Sequence, residues 1–287
     1  MTATTDTTTT ADTAPRGRGA GSLRGEPGLG RVTLGRVAAA EFIKLRTARS
    51  MVAASITTAL LIVGVGAFSA VGLVVQDPPA SGADPATADP LGASLTGISP
   101  ATYAVATLGV LAVTSEYGTG TIKATLAAVP RRAQLVTGKA VALAATTLVT
   151  ALLAVLATFF TAQAIVSRDG IALSITAAGV PRVLVGSALY LTGVVLLAAG
   201  FGWLLRSTAG ALAVLFGVLA VLPVVGILLP PDVGAEIMPY LPSNAGTAVM
   251  QLTPGGQLGP WAGLTVFYGY AVLTLIGATI SLRRRDA

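Results

Sequence analysis

The chain has 287 residues, of which 53% are apolar and only 10% charged, with a net charge of +6 and neither Cys nor His. A mean hydropathy of +0.79 exceeds what the core of a water-soluble domain requires, so the sequence reads as an all-α polytopic membrane protein. The missing Cys and His exclude disulfides, thiol nucleophiles, histidine bases and the common zinc sites.

Residues 1–30 are rich in Thr, Gly and Ala and carry almost nothing large and apolar, so burial cannot offset the entropy of ordering them. The expectation is a disordered cytoplasmic tail, without the charged start and short apolar run of a secretory signal. Residues 31–50 predict a helix at the membrane interface. Leu34, Val37, Ala38, Phe42 and Leu45 fall in one sector at helical spacing, flanked by Arg36, Lys44 and Arg46, which suit anionic headgroups. Glu41 lies inside that apolar sector. It either pairs with Lys44 three residues on or reaches another cytoplasmic element.

A span needs roughly 20 mainly apolar residues to cross a hydrocarbon core of about 30 Å. Six segments meet that length: Met51 to Val75, Leu95 to Thr114, Leu135 to Val166, Val183 to Leu205, Thr208 to Leu229 and Trp261 to Leu282. They make one six-span domain over residues 51–285. The second segment carries Ser99, Pro100 and Tyr103 and is the least apolar, but alternating topology requires it. Of 18 Lys and Arg residues, 16 fall on one side of this arrangement; only Arg168 and Arg182 fall on the other, with Asp77, Asp84, Asp89, Asp169, Asp232 and Glu236. The positive-inside rule then gives a multi-pass plasma-membrane protein with both termini cytoplasmic. Cations dispersed along membrane edges, with no basic domain, argue against nucleic acid as a partner. Residues 76–90, with three Asp and four Pro, predict an extended linker, and the Pro-punctuated stretch 230–260 predicts one or two short helices capping the external face.

Between the second and third spans runs SEYGTGTIKATLAAVPRRAQLVTGK, charged and punctuated by Gly. Thr119 to Val129 predicts a helix of about three turns, with Thr121 as an early cap and Pro130 ending it. Ile122, Leu126 and Val129 share a face, an apolar ridge fit for a partner's groove, and Lys123, Arg131 and Arg132 suit acidic groups at its rim. Gly138 and Lys139 do not end a phosphate-binding loop, because Ala133 stands where its first Gly belongs and Ala140 where a magnesium-holding hydroxyl belongs. The spans carry no acid or base well inside the bilayer, Lys139 lying near an inner edge, so the residues of an ion path, proton relay or voltage sensor are missing. Uphill movement of a solute would draw its energy from outside the membrane. Gly64, Gly66, Ser69 and Ala70 in the first span and Gly263, Gly269 and Gly277 in the last suit close helix packing. Thr146, Thr147, Thr150, Thr158, Thr161 and Gln163 in the third span, with Tyr103, Tyr190, Tyr268 and Tyr270, either line a path or bond within the helices.

Glu116, Gly118, Gly120, Pro130, Arg131, Arg132 and Lys139 in the loop resemble the first cytoplasmic loop of type-2 ABC exporter permeases. The stretch AEFIKLRTARS, with Glu41, Lys44 and Arg46, resembles their N-terminal interfacial helix, and the resemblance extends over Leu34 to Arg285. It implies a permease that pairs with a second copy or paralogue, sits among membrane lipid, and engages a dimer of cytoplasmic ABC ATPase subunits. Those partners would hold the ATP and magnesium; this chain would hold no cofactor and would not itself be an enzyme. In that family the loop is a cytoplasmic coupling helix seated in a groove of the ATPase, a role that falls here on Glu116, Gly118, Gly120, Ile122, Lys123, Leu126, Pro130, Arg131 and Arg132. Gly255, Gly256 and Gln257 echo the signature loop of the ATPases but follow Pro254 on the external side, and read as a turn. The expected function is export of an amphiphilic or hydrophobic solute such as a drug, antibiotic, peptide or lipid. The alternative is a non-transporting scaffold or sensor whose loop binds another cytoplasmic partner.

Overall fold

The computed structural model describes residues 2, 33–75, 89–129, 131–253 and 258–285. The expected tail over 1–30 apart from residue 2, residues 76–88 of the linker, Pro130 and the turn at Pro254 to Gln257 lie outside them. Every regular element among the described residues is helical, and six helical stretches are long and apolar enough to cross a membrane.

Helix α1 (Leu34–Thr47) starts at Thr33, whose hydroxyl accepts from the Arg36 amide at 3.4 Å. The first span is α2 (Arg49–Val75). The second differs from the expected single helix. Asp89 caps the short α3 (Pro90–Leu95), its Oδ1 accepting from the Gly92 amide at 2.8 Å with Pro90 at the first helical position, and a turn at Thr96 and Gly97 separates α3 from α4 (Ile98–Gly118). The cap-and-proline pair starts the span earlier than its hydropathy did, and α4 runs a turn past Thr114. Gly120 then takes φ 71°, a left-handed conformation that glycine adopts at little cost, and the chain turns.

Helix α5 (Ile122–Ala128) has seven residues rather than the three turns expected from Thr119 to Val129. The end of α4 and the Gly120 turn take up the first of those residues. Thr121 stands at the cap position, yet its hydroxyl meets Thr119 Oγ1 at 2.9 Å and the Glu116 carbonyl at 3.5 Å and caps no amide of α5. The third span, α6 (Arg132–Val166), has 35 residues, and the fourth is α7 (Val180–Leu205). The fifth is α8 (Thr208–Phe216) and α9 (Leu222–Ile227) joined by a π-helical turn, Gly217–Val221. Pro223 explains the interruption: it lacks an amide proton and its ring crowds the preceding turn, which widens to accommodate it. Two short helices follow, α10 (Pro231–Ile237) and α11 (Pro242–Thr247), and the last span is α12 (Pro260–Arg285).

The core gathers around α7, which packs against α4, α6, α8 and α12. Its apolar window is 83% buried, against 22% for that of α2, so α7 is the axis and α2 lines the periphery. Trp203, Leu191 and Leu197 of α7 pack with Val113, Phe267 and Leu143 from its neighbours. On the outside Leu60, Phe68, Leu153 and Leu228 are exposed, a surface that is stable in hydrocarbon and not in water. Backbones meet closely at Gly66, which lies against Thr158 and the Ser94 carbonyl, and at Gly109, where an added Cβ would sit 2.8 Å from that of Ala198.

Four of the polar side chains singled out in the spans bond within or between the helices. Thr146 and Thr150 donate to carbonyls of their own helix, Thr158 sits 3.0 Å from the Ser94 carbonyl and 3.2 Å from that of Ile62, and Tyr268 donates to the Leu189 carbonyl at 2.9 Å. Helix α11 and the 3-10 turn after it (Ala248–Met250) wedge between α7 and α12, with Ala245 of the helix and Val249 of the turn fully buried. The end of α4, the start of α6 and the junction of α7 with α8 meet beside α1 and α5 at one end of the bundle. That end carries the clustered cations, and α3, α10 and α11 stand at the other.

Candidate functional site

The loop and the first helix meet at the basic end. Val37, Glu41 and Leu45, spaced by four, form the face of α1 that is buried, and this face lies along α6, where Gly138 leaves room for the Val37 side chain. The acidic residue inside the apolar sector is therefore aimed into the bundle. Glu41 is 3% exposed and its Oε2 accepts from Lys139 Nζ at 2.5 Å. Its other oxygen accepts from Lys44 Nζ at 2.8 Å. Glu41 thus pairs with Lys44 three residues on and also reaches a second element, α6.

Glu116, in the last turn of α4, completes the cluster. Its Oε1 accepts from Lys139 at 2.8 Å and from Lys44 at 3.2 Å. Lys139 also donates to the Ala112 carbonyl at 3.2 Å, so all three ammonium protons have partners. Two acids and two bases give a net charge of zero, the condition under which charges can leave water at tolerable cost. Burial by itself would raise the Glu41 carboxyl, but the charge and hydrogen bond of Lys139, then those of Lys44, outweigh it and hold the group below its usual 4.5. Burial likewise opposes the charge on Lys44, and the hydrogen bond to Glu41 with the charge of Glu116 raises it above 10.5. Glu116 Oε2 is buried and accepts no hydrogen bond among the described residues. A cavity of about 450 Å³ opens beside the cluster, between α1, the end of α4 and α5.

The expected docking face is arranged differently from its sequence reading. Ile122 is 7% exposed and belongs to the core, with Leu126 and Val129 packed against it. The bundle covers Ile122, while Leu126 and Val129 stay half-buried and Leu126 lines an open cavity. What α5 turns outward is Lys123, Ala124, Ala127 and Ala128. Gly118 is exposed, with open space where a side chain would stand, Arg131 is exposed, and Arg132 is half-buried and lines a second cavity with Tyr117 and Arg206. Arg46 is exposed and stacks over Phe42 at 5.5 Å.

The structure thus brings Glu41, Lys44 and Glu116 together, adds Lys139 to them, and places Arg131 and Arg46 apart. In the sequence Lys139 reads as a topological cation, as the end of a rejected phosphate loop and as one of the loop residues that carry the family resemblance, with no partner named for it. The available signal was a lone base in an apolar run, matched in charge by a lone acid in an apolar helix stripe. The cluster is a lock, joining three helices through charge, and holds no side chain poised as a nucleophile. Compared with known proteins, the chain matches no family model and no curated protein.

Proposed function

We propose that this chain is the membrane-spanning permease subunit of an ATP-driven exporter, powered by separate ATPase subunits that dock on α5 and its flanks. The proposal rests on the ion-paired junction at the root of the loop. Lys139 ties Glu41 of α1 to Glu116 of α4 two residues before the α4 terminus, and α5 follows directly. A force applied to α5 would reach α1, α4 and α6 together, because the charges joining them resist separation in a low-dielectric site. The exposed face of α5, with Ala124 and Ala128 one helical turn apart and Arg131 beyond, is the contact surface in this reading. A second permease, identical or paralogous, would cover part of the lipid-facing apolar surface. The solute would be amphiphilic or hydrophobic, entering from the membrane.

The test is purification from the native membrane in mild detergent, with identification of co-purifying proteins and assay of ATP turnover. The expected result is a stoichiometric ATPase, lost in the Ala124→Asp, Ala128→Asp double variant while the permease keeps its yield and its unfolding midpoint. These positions are exposed, whereas Ile122→Asp would damage the core and give no information on docking. A wild-type preparation with no ATPase activity and no such partner would sink the proposal and favour a scaffold or sensor.

A further inference from the structure

We infer that a hydroxyl-lined cavity, at the end of the bundle opposite the ion-paired cluster, binds the uncharged, hydroxyl-rich head of an amphiphile, a glycolipid by its chemistry. The cavity holds about 410 Å³ and is lined by Thr96, Thr102, Tyr103, Tyr190, Ser243 and Thr247, with Leu219 on its apolar side. Sites for small ligands usually measure about 300–1,000 Å³. No acid or base among the described residues lines it, so a charged head would leave water without a counterion.

Two interruptions of the spans, far apart in sequence, meet at this cavity. Thr96 stands in the turn between α3 and α4, and Leu219 in the π turn between α8 and α9. Backbone that leaves the regular helix at membrane depth is tolerated where protein buries it or where it lines a cavity, and π turns are frequent at functional sites. Pro223 accounts for the widening of its turn, but not for the arrival of both breaks at one place.

The hydroxyls select the head. Thr96, Thr102 and Thr247 donate to the carbonyls of Gly92, Ile98 and Ser243 at 3.1, 2.8 and 2.8 Å. Their protons are committed, and their oxygens remain as acceptors. Ser243 Oγ is buried and has no hydrogen-bond partner among the described residues, a state that costs free energy until a partner arrives. A sugar hydroxyl both donates and accepts, so it can serve the threonine oxygens and Ser243 alike. A carboxylate or phosphate dianion only accepts and can do no more than take the Ser243 proton. The edge of the cavity argues for attached chains. Tyr103 is 38% exposed, and its ring lies 5.8 Å from that of the exposed Phe216. This aromatic pair joins the polar lining to the apolar outer surface, a lip that a free sugar has no use for. The inference concerns binding and does not rest on the transport reading.

The experiment uses the full chain in nanodiscs of phosphatidylcholine. Thermal unfolding is followed with added monoglucosyldiacylglycerol, with diacylglycerol and phosphatidic acid of the same acyl chains, and with glucose alone. The glycolipid is expected to raise the midpoint by about 3 °C or more over diacylglycerol, as selective binding to the folded state does. Phosphatidic acid should do no more than diacylglycerol, and glucose alone should change nothing. Ser243→Ala removes a hydroxyl that bonds to no described residue, so it should keep the midpoint without glycolipid and lose most of the glycolipid shift. Thr102→Val should lose that shift as well, while Thr265→Val, at an exposed threonine of α12 outside the lining, should keep it. Equal responses to glycolipid and diacylglycerol would overturn the inference. So would a larger shift with phosphatidic acid, which would assign the cavity to a charged head, or a full shift with glucose alone, which would assign it to a soluble sugar. A shift retained in both Ser243→Ala and Thr102→Val would place the glycolipid elsewhere and overturn it too.

Discussion

Lys139 is 3% exposed and faces two carboxylates that are themselves largely out of water. Removing its charge with Lys139→Met leaves Glu41 and Glu116 with the half-exposed Lys44 as their one cationic partner among the described residues, and breaking a buried pair from one side costs about 3–5 kcal/mol. Lys44 contacts the same two acids, but half of its side chain is in solvent, so Lys44→Met should cost about 1 kcal/mol or less. Denaturant or thermal unfolding in detergent separates the two; equal losses would mean that Lys139 is solvated in the working protein. The cluster also sets an acid limit. The folded Glu41 carboxyl lies below its usual 4.5, so as pH falls the unfolded chain takes up this proton first. The contribution of Glu41 is complete above that usual value and is lost as pH falls through the folded one. Lys44, raised above 10.5, contributes fully below that value and loses its share only as pH rises through its folded value. As pH falls below the usual value of 4.5 the unfolding midpoint of the wild type should therefore fall more steeply than that of Glu41→Gln. Parallel curves would remove Glu41 from the acid response. The sequence displayed the acid as a misfit in an apolar stripe. It did not display the partner, because Lys139 is 98 positions away and only the packing of α1 on α6 brings them together.

At the scale of elements, periodicity marks a face but does not say which way the face turns. Ile122, Leu126 and Val129 share one side of α5 as their spacing predicted, but the bundle takes Ile122 into its core and leaves the other two half-buried against it. The same limit applies to small residues in the spans. Gly64, Gly66 and Gly269 look alike in sequence, yet only Gly66 of the three stands against a neighbouring helix. Gly109, unmarked by any motif, lies where α4 crosses α7, and a Cβ there would meet the Val195 carbonyl at 2.5 Å. Gly109→Ala is expected to destabilise by about 1–3 kcal/mol through overpacking, although alanine is the better helix former. Gly64→Ala, with nothing within 4 Å, should hold or raise stability by up to about 1 kcal/mol, the helix-propensity gain without the clash. Unfolding midpoints of the two variants test the contrast, and a neutral Gly109→Ala would mean that α4 and α7 are less tightly packed than described. The break between α3 and α4 and the π turn before Pro223 belong to this scale as well. Hydropathy sees the length of a span, and caps and prolines decide whether it is one helix.

For the whole molecule, six spans were legible because each carries its own apolar length, a local property that needs no knowledge of neighbours. Their arrangement around α7 was not, since burial inside the bundle and exposure to lipid select similar side chains. Which end faces the cytoplasm is a further question, and the charge distribution makes a definite claim about it. In the six-span reading of the sequence, sixteen of the 18 Lys and Arg residues fall on one side, and the positive-inside rule predicts that this side faces the cytoplasm. The chain has no Cys, so single cysteines can be introduced without a background. Glu236→Cys, on exposed α10, and Asp232→Cys beside it should react with a membrane-impermeant maleimide on intact cells. Arg131→Cys before α6 and Arg284→Cys at the end of α12, both exposed, should react only after the membrane is permeabilised. The reverse pattern would invert the molecule and put α5 outside, where no ATPase could reach it. Labelling of Arg131→Cys and Arg284→Cys from opposite sides would instead mean an odd number of crossings between them, and would break the six-span topology that the docking of α5 requires.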